Sequence, residues 1–244
     1  MPERRAPRVL RGATFNILRR DPEGRQALAN QLKRYCEAHH LDFVLLQEIA
    51  GHHAALRTIE GYDLIAFPAT PDRGDNGILV RHAVPHGPGM SIAVKSYWFT
   101  RKGKRFPARS IVSVGLSDWL RVTTVHAPVQ VLNHSSRFRG AARRITAYRR
   151  TAAALVKHAR RVANRTPGVA LVIAGDWNAG TAAYGVGTPS WVARKAGMKK
   201  HRVVGARIDW PMSRGCHLDD IEVDRTPHNL GSDHPIVRFT VTED

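Results

Sequence analysis

Two short segments in the last third of the chain carry residue types that suit metal-assisted phosphate chemistry. Residues 175–178 read Gly-Asp-Trp-Asn, and residues 232–235 read Ser-Asp-His-Pro. Each segment places hard oxygen ligands or a titratable imidazole beside an apolar, strand-like run. Carboxylates can hold a divalent cation, and an imidazole can bind or release protons at a phosphate group. Together the two segments predict a phosphoesterase.

Polar side chains also follow the apolar runs of four predicted strands. Asn16, Glu48, His126 and Asp176 each come at or just after the end of such a run. Strand ends in layered sheets can converge on one rim, where a rigid scaffold positions groups that do chemistry. Any one of these residues could instead belong to a turn. Four of them at comparable places favour a shared site.

The hydrophobic periodicity predicts the elements that must position these groups, with no linker and no repeat between them. The predicted helices span residues 24–39, 52–59, 136–164 and 190–196. The predicted strands span residues 9–17, 42–48, 62–67, 77–81, 92–99, 110–116, 120–126, 169–174, 203–209, 218–223 and 236–241. Many strands with a few covering helices suggest two packed sheets flanked by helices. A chain of 244 residues can bury a substantial core as one α/β domain.

Five short motifs, taken in order, resemble those of the endonuclease/exonuclease/phosphatase superfamily, which has the fold of deoxyribonuclease I and the apurinic endonucleases. They are Thr-Phe-Asn at 14–16, Leu-Leu-Gln-Glu at 45–48, the segment at 175–178, Arg-Ile-Asp at 207–209 and the segment at 232–235. The resemblance spans nearly the whole chain. It implies a four-layered α/β sandwich with two mainly antiparallel sheets, a single catalytic domain over 1–244, and a Mg²⁺ or Mn²⁺ site at one edge.

The resemblance also implies roles for individual residues. Glu48 would be the principal metal ligand, with Asn16 beside it and Asp233 completing the metal shell. Asp176 and Asn178 would orient the attacking water and hold the phosphate or a second metal. Because they are two apart on an extended segment, they would point the same way. The alternative for Glu48 is an exposed strand end, and the alternative for Asp176 and Asn178 is an ordinary turn after a strand.

Two histidines are candidates for proton transfer. His234 would act as a proton acceptor or phosphate clamp, and the family pattern supplies Asp209 to fix its tautomer. Asp233 is a poor partner for it, because adjacent residues on a strand face opposite sides. His126 matches the second histidine of the deoxyribonuclease I branch, a general acid that a glutamate from an earlier segment orients. Residues 76–117 contain no acid, so we expect a backbone carbonyl or phosphate alone to hold this imidazole.

The net charge of +18 is concentrated in one part of the chain. Residues 76–175 hold 18 lysines and arginines against one acid, so this stretch carries +17. Such a field would attract a polyanion, although a solvated, solubilising surface is the alternative. Four basic residues lie between two predicted strands and beside aromatic side chains, namely Arg101, Lys102, Lys104 and Arg105. With Arg109, at a place where the family often contacts phosphate, they are the candidate substrate-binding residues.

These observations predict a divalent-metal-dependent phosphodiesterase that hydrolyses nucleic acid, with DNA as the expected substrate, as an endonuclease or exonuclease. The alternatives are a phosphatase or lipid phosphodiesterase of the same superfamily, and a non-catalytic nucleic-acid-binding protein. We find no apolar run that suits a membrane span and no secretory signal. The two cysteines lie in no metal or redox spacing. We therefore expect a cytoplasmic, intracellular monomer with reduced thiols and no membrane partner.

Overall fold

Twelve strands and four helices lie within the residues that the computed structural model describes. These residues are 8–17, 24–67, 75–94, 109–128, 138–179, 188–201, 203–205, 208–225 and 232–244. The strands are β1 (Val9–Asn16), β2 (Phe43–Gln47), β3 (Tyr62–Ala66), β4 (Asn76–Arg81), β5 (Met90–Val94), β6 (Arg109–Leu116), β7 (Leu120–His126), β8 (Ala170–Asp176), β9 (Lys199–Lys200), β10 (Asp209–Arg214), β11 (Cys216–Asp224) and β12 (Ile236–Glu243). The helices are α1 (Arg25–Ala38), α2 (His53–Leu56), α3 (Phe138–Arg165) and α4 (Pro189–Ala196).

The strands form two six-stranded sheets. Sheet A has the order β11-β12-β1-β2-β4-β3, and sheet B has the order β5-β6-β7-β8-β10-β9. Each sheet has one parallel pair at its centre, β1 with β2 in sheet A and β7 with β8 in sheet B. The other pairs of named strands are antiparallel. The prediction of two mainly antiparallel sheets is therefore confirmed.

Three apolar layers join the sheets and helices. Phe43 and Val172 belong to the layer between the two sheets. Leu32 of α1 packs in the layer on the outer face of sheet A, and Leu155 of α3 and Val192 of α4 pack in the layer on sheet B. The result is the predicted four-layered α/β sandwich. Among the described residues, no helix combines the length and the apolar character needed to traverse a lipid bilayer.

The strand directions bring several polar positions to one edge of the sandwich, which we name the polar edge. The parallel pairs place Asn16 beside Gln47 and His126 beside Asp176, at the C-terminal ends of four strands. The antiparallel neighbours β4, β10 and β12 begin at this same edge. Gly175 allows β8 to approach β7 closely, because a Cβ atom there would lie 2.0 Å from a backbone oxygen of β7.

The strand predicted at 203–209 is wrong. Val204 is 84% exposed and Gly205 has a φ of 90°, so the chain turns here instead of extending. The strand in this region is β10, which begins later and contains Pro211. Proline argues against a strand interior, but it is tolerated near a sheet edge, and only the two-residue β9 lies beyond β10. The other predicted elements are present with ends that differ by a few residues, and residues 95–99 lie outside the described part.

Candidate active site

Four side chains from the two sheets meet at the polar edge. The amide Nδ2 of Asn16 lies 3.0 Å from Asp176 Oδ2 and 3.3 Å from Glu48 Oε1. His126 Nε2 lies 3.7 Å from Glu48 Oε1 and 3.6 Å from Asp176 Oδ2. All but the glutamate are almost fully buried. The sandwich thus joins two strand ends of sheet A to two strand ends of sheet B in one cluster.

Asp209 and His234 form a second part of the cluster. His234 Nδ1 lies 2.8 Å from Asp209 Oδ2, which is the contact that the family pattern implies. Burial alone would lower the pKa of His234, but the hydrogen bond and charge of Asp209 raise it to about 9. Burial in turn raises the pKa of Asp209, against the opposing effect of His234. The pair can bind an anionic oxygen when the imidazole is protonated and accept a proton when it is neutral.

A serine fixes the loop that carries this histidine. Ser232 Oγ donates a hydrogen bond of 2.6 Å to the backbone oxygen of Asn16 and accepts one of 3.1 Å from the His234 N–H. The loop before β12 is therefore tied directly to the end of β1. The serine of the Ser-Asp-His-Pro segment therefore acts as a positioning residue through its hydroxyl group.

His126 has a carboxylate partner, which corrects the prediction that it has none. Its Nδ1 lies 2.9 Å from Asp75 Oδ2, so Nδ1 carries a proton toward the carboxylate and Nε2 faces the cluster. Asp75 directly precedes β4, one residue before the stretch in which no acid occurs. Asp75 could have been identified from its position at the start of an antiparallel strand. Asp209 and His234 occupy the same kind of position at β10 and β12. The apolar runs point only to polar residues at their C-terminal ends, and Asp75 lies at the opposite end of its run.

The segment after β8 turns and is not extended, which corrects another prediction. Asn178 has a φ of 47°, and its N–H donates a 2.7 Å hydrogen bond to Asp176 Oδ1. Its Nδ2 donates to the backbone oxygen of Ala127 at 2.8 Å. The asparagine therefore closes a turn that orients the aspartate carboxylate. Glu48 also has a positive φ, 57°, a conformation that costs about 1–2 kcal/mol outside glycine.

Asp233 is placed differently from the expectation. Residues 232–235 form a bend before β12, so adjacent side chains are not forced to opposite sides as on a strand. The Asp233 side chain is 74% exposed, and its Oδ1 lies 3.8 Å from His234 Nε2. It therefore flanks the imidazole at the rim of the cluster. Its place in a metal shell stays a prediction.

The cluster fits a hard divalent cation. Asp176, Asp209 and His234 each offer a ligand atom within 4.8 Å of the others. Asp209 Oδ1 is buried and has no hydrogen-bond partner among the described residues. Glu48 adds a further carboxylate next to Asp176. Carboxylate and amide oxygens are the ligands that Mg²⁺ prefers, and a cation would offset the repulsion between these acids.

Gln47 is a supporting residue that the sequence motifs alone did not single out. Its Nε2 lies 3.1 Å from Thr14 Oγ1 of sheet A and 2.9 Å from Thr124 Oγ1 of sheet B. All three side chains are fully buried. They link the two sheets just beneath the cluster, so Gln47 sets the spacing between the halves of the site.

The predicted substrate-binding residues lie mostly outside the described part of the chain. Residues 101–105 are outside it, and Arg109 is described only as the backbone start of β6. The register pairs Val94 with Arg109 and Val112 with Thr124, so β5 ends and β6 begins at the level of His126. The strands on either side of the basic residues 101–105 therefore meet at the polar edge.

The two tryptophans beside the site residues pack in the core and do not line a pocket. Trp177 and Trp210 are each 1% exposed and stack at 5.0 Å between ring centroids. The Trp177 indole donates to the backbone oxygen of Trp210 at 2.9 Å. This pair fixes the chain next to Asp176 and Asp209.

Comparison with solved structures shows similar folds at low identity. The human nocturnin catalytic domain with bound sulfate anion matches with a TM-score of 0.69 and 13% identity, covering 98% of each chain. A humanized D. rerio TDP2 carrying 14 mutations matches with a TM-score of 0.61 and 18% identity, covering 96% of this chain and 98% of the other. A Bacteroides thetaiotaomicron mannosyl-6-phosphatase matches with a TM-score of 0.66 and 11% identity, covering 95% and 99%.

These likenesses show a deoxyribonuclease I-like α/β fold. No curated protein sequence matches the chain. The sequence profile of the Endonuclease/Exonuclease/phosphatase family matches residues 13–234, which is most of the chain. Members of that superfamily are mostly phosphoric ester hydrolases. The chain belongs to the endonuclease/exonuclease/phosphatase family.

Proposed function

We propose that this protein is a divalent-metal-dependent phosphodiesterase that hydrolyses nucleic acid, with DNA as the expected substrate. The observation that carries the proposal is the meeting of two carboxylate–histidine pairs, Asp209–His234 and Asp75–His126, around Asp176. Cleavage of a phosphodiester needs one group that activates water and another that protonates the leaving oxygen. At this edge the Asp75–His126 pair can protonate the leaving oxygen, Asp176 can accept the proton of the water, and the Asp209–His234 pair can bind the phosphate between them.

Each residue of the cluster has a role in this proposal. Asp176, oriented by the Asn178 N–H, positions the attacking water and takes its proton. His234, held by Asp209, contacts a non-bridging phosphate oxygen. His126, held at Nδ1 by Asp75, donates a proton from Nε2 to the leaving oxygen. Asp176 therefore removes a proton from the water on one side of the phosphorus, and His126 gives a proton to the leaving oxygen on the opposite side.

Glu48 would hold the cation, with Asn16 beside it as the amide donor that orients the Glu48 and Asp176 carboxylates and Asp233 as a ligand at the rim. When bound, Mg²⁺ or Mn²⁺ supplies positive charge that offsets the negative charge developing on the phosphate oxygens. The positive φ of Glu48 directs the chain away from β2 just where the carboxylate must face the cluster. The strain at this position is consistent with a functional demand on it.

Charge and placement support a polyanionic substrate. The stretch of residues 76–175 carries +17, which would concentrate nucleic acid near the site. The antiparallel strands β5 and β6, which precede and follow the basic residues 101–105 in the chain, meet at the polar edge. We propose that these basic residues and Arg109 contact backbone phosphates on both sides of the scissile bond.

The rival within the same chemistry is a phosphatase or lipid phosphodiesterase, and a sugar phosphatase is among the structural relatives. Its small substrate would not need so extended a basic region. A protein that only binds nucleic acid would not need the buried Asp209–His234 pair. Both rivals are therefore less well supported than a nuclease.

Incubation of supercoiled plasmid with Mg²⁺, with and without EDTA, tests the proposal. We expect EDTA-sensitive nicking that Asp176→Asn abolishes while salt-dependent DNA binding persists. Turnover of an inositol phosphate, sphingomyelin or mannose 6-phosphate without nicking would replace the nuclease by a small-substrate enzyme. DNA binding with no turnover of any phosphate ester would leave only the non-catalytic alternative.

The basic residues 101–105 have their own test. Neutralising Arg101, Lys102, Lys104 and Arg105 removes four positive charges, so binding should weaken and its salt dependence should flatten. The measurement is the slope of the logarithm of the binding constant against the logarithm of salt concentration. An unchanged slope would mean that these residues do not touch phosphates.

A further inference from the structure

A groove of about 500 Å³ lies on the outer face of the sheet B half, between α3 and α4. Its walls carry Lys157, Arg160, Arg161 and Arg165 from α3, and Trp191 from α4. All four cations are exposed, and the indole is partly buried. The groove is therefore an open, largely apolar hollow bordered by four cations and one aromatic ring, and it is separate from the cluster at the polar edge.

The charges of this groove are not balanced. The sequence has no acid at residues 119–175 or at residues 177–208, so α3 and α4 together hold eleven lysines and arginines and no acid. Within the described residues, no ion pair joins a carboxylate to any of the four groove cations. A surface that served solubility alone would do as well with both signs mixed.

The spacing of the cations destabilises α3, the helix that carries them. Lys157, Arg161 and Arg165 follow each other at intervals of four, so they form one row along α3. Each like-charged pair at this interval destabilises a helix by roughly 0.2–0.5 kcal/mol. The row has members ~6 Å apart, because each residue adds ~1.5 Å along a helix. A row of phosphates along one strand would relieve this repulsion.

The aromatic ring and the neighbouring guanidinium are both held in place. Trp191 packs on one side against the core beneath α3 and α4 and lines the groove on the other. The Arg160 Nε donates a 3.1 Å hydrogen bond to the backbone oxygen of Lys195, which fixes its guanidinium at the end of α4. A preformed ring beside cations is the arrangement on which single-stranded bases stack while their phosphates are neutralised.

The groove lies at a defined distance from the polar edge. Tyr148 of α3 donates a 2.8 Å hydrogen bond to the backbone oxygen of Trp177, so α3 passes the cluster at this residue. Lys157 is nine residues further along the helix and Arg165 is seventeen, which corresponds to ~14 and ~26 Å. A strand leaving the cluster would have to extend over this length to reach the row.

We propose that the α3–α4 groove is a second binding site for a single-stranded segment of the nucleic-acid substrate, distant from the bond that is cleaved. The inference rests on the proposed nuclease function for the identity of the strand. The row of cations and the ring line the same groove, so a single strand could place phosphates on the row and a base on Trp191.

The test is binding of a labelled strand of about 30 nucleotides in EDTA, longer than the ~4–16 nucleotides that one compact single-strand-binding fold covers. The variant replaces Lys157, Arg161 and Arg165 by glutamine. Each lost phosphate contact lowers the salt slope by ~0.7, so the slope should fall by about 2 and affinity at low salt by about 10²-fold. Trp191→Leu should weaken binding by about 5- to 100-fold, and Trp191→Phe by less.

The matched control removes three exposed cations from the other half of the molecule, through Arg11→Gln, Arg34→Gln and Arg57→Gln. It makes the same change in net charge and should leave the slope nearly unchanged. If the two triple variants had equal salt slopes of binding and unchanged thermal stability, the proposal that the groove binds a strand would be wrong. Stronger competition by polyglutamate or anionic phospholipid vesicles than by a nucleic-acid strand would overturn it as well.

Failure of this inference is distinguishable from failure of the proposed function. If no phosphodiester of nucleic acid is cleaved but the slope difference appears, the nuclease is wrong and the groove stands. If long strands are cleaved and the slope does not change, the groove is wrong and the nuclease stands. Cleavage of a dinucleotide-sized substrate should be the same in the triple variant and the unmodified protein.

Discussion

The two halves of the sandwich are built alike but are charged differently. Each half has six strands with one parallel pair at the centre, and each contributes strand ends to the polar edge. The helices that cover sheet A, α1 and α2, carry three lysines and arginines and one acid. The helices that cover sheet B carry eleven and none. The two sheets therefore have similar strand arrangements, whereas the helices that cover them differ in charge.

This difference separates two kinds of constraint. The polar edge needs both sheets, because Asn16 and Glu48 come from one and His126 and Asp176 from the other. The outer helix faces touch no site residue across most of their length, so their charge can vary without disturbing the cluster. The excess on one face alone indicates a task for that face. Matched variants of the two halves test whether the charge difference has a function.

Removing one carboxylate from either half should have the same severe effect. Glu48→Gln in sheet A and Asp176→Asn in sheet B should each lower the rate of phosphodiester cleavage by about 10³-fold or more, because each removes charge that the transition state needs. DNA binding in EDTA should persist in both variants. Residual activity within tenfold of the unmodified protein for one of them would mean that only the other half holds the chemistry.

Asp75 should matter because it joins the halves through His126. Asp75→Ala leaves the imidazole without the carboxylate at Nδ1, so the rate should fall by about 10²-fold with little change in KM. Asp75→Asn should recover part of the loss, since its amide oxygen can still accept from Nδ1. The control is Asp63→Ala, an exposed acid of the same half, which should leave kcat unchanged. A pure KM effect would contradict the role.

Acid should destabilise the sheet B half through His158. Burial, and then the charges of Arg121, Arg161 and Arg214, lower the pKa of His158 to about 4 from its ordinary value of 6.5. The unfolded chain then binds a proton that the folded chain excludes, so stability is full above pH 6.5 and is lost as pH falls toward 4. The loss is on the order of 3 kcal/mol.

The check on His158 is chemical denaturation at several pH values. His158→Gln should flatten the dependence of the unfolding free energy on pH between 4 and 6.5. His217→Gln, at a histidine with a 66% exposed side chain, should leave that dependence as it is. If the two variants behave alike, the buried imidazole is not the source of the acid sensitivity.

Gln47 should contribute to stability as the link between the sheets. Gln47→Met keeps the size of the side chain but removes the buried amide that donates to the hydroxyl oxygens of Thr14 and Thr124, while Thr124 keeps its hydrogen bond to the Leu46 backbone oxygen. The free energy of unfolding should fall by about 1–2 kcal/mol. Gln26→Met removes an exposed amide with two hydrogen bonds and should cost less than about 0.5 kcal/mol. If Gln47→Met lowered the free energy of unfolding by as little as Gln26→Met, the hydrogen bonds between the sheets would not be needed for stability.

The smallest expected effect is a gain of stability on α3. Arg161→Glu replaces repulsion with Lys157 and Arg165 by two attractive pairs at intervals of four, worth about 0.5–1 kcal/mol together. Arg34→Glu on α1 has no charged residue at an interval of four and lies three residues before Glu37, so it gains no attractive pair and should lower stability by up to about 0.5 kcal/mol. Thermal unfolding at low salt measures both. A destabilised Arg161 variant would mean that the row of cations is already balanced.

Site residues at the ends of strands could be located from the apolar runs, whereas those at the starts of strands were found only where a family motif contains them, as with Asp209 and His234. Asn16, Glu48, His126 and Asp176 end apolar runs, and a parallel pair places such ends side by side. Asp75 precedes its strand, and the antiparallel direction of β4 is what brings it to the same edge. That direction depends on pairing between distant segments, so no local pattern reports it.

Local turns are a second source of error. Extended segments were expected for Asn178 and Asp233 because their neighbours have the pattern of strands. Each instead lies in a turn or bend beyond the strand, as the positive φ of Asn178 shows. The strand predicted at 203–209 failed for the same reason at Gly205. Side-chain hydrogen bonds to the backbone and a few dihedral angles decide such turns, and apolar periodicity does not record them.

From the amino-acid sequence alone followed the sandwich, the family and every donor group of the site described here except Asp75, because apolar periodicity and short motifs are local and additive along the chain. Tertiary structure alone decided that Asp75 serves His126, how far Asp233 lies from the cluster, and that the cations of α3 meet Trp191 across a groove. These are contacts between residues tens of positions apart. Their geometry depends on strand direction and helix packing, which exist only once the two sheets have closed on each other.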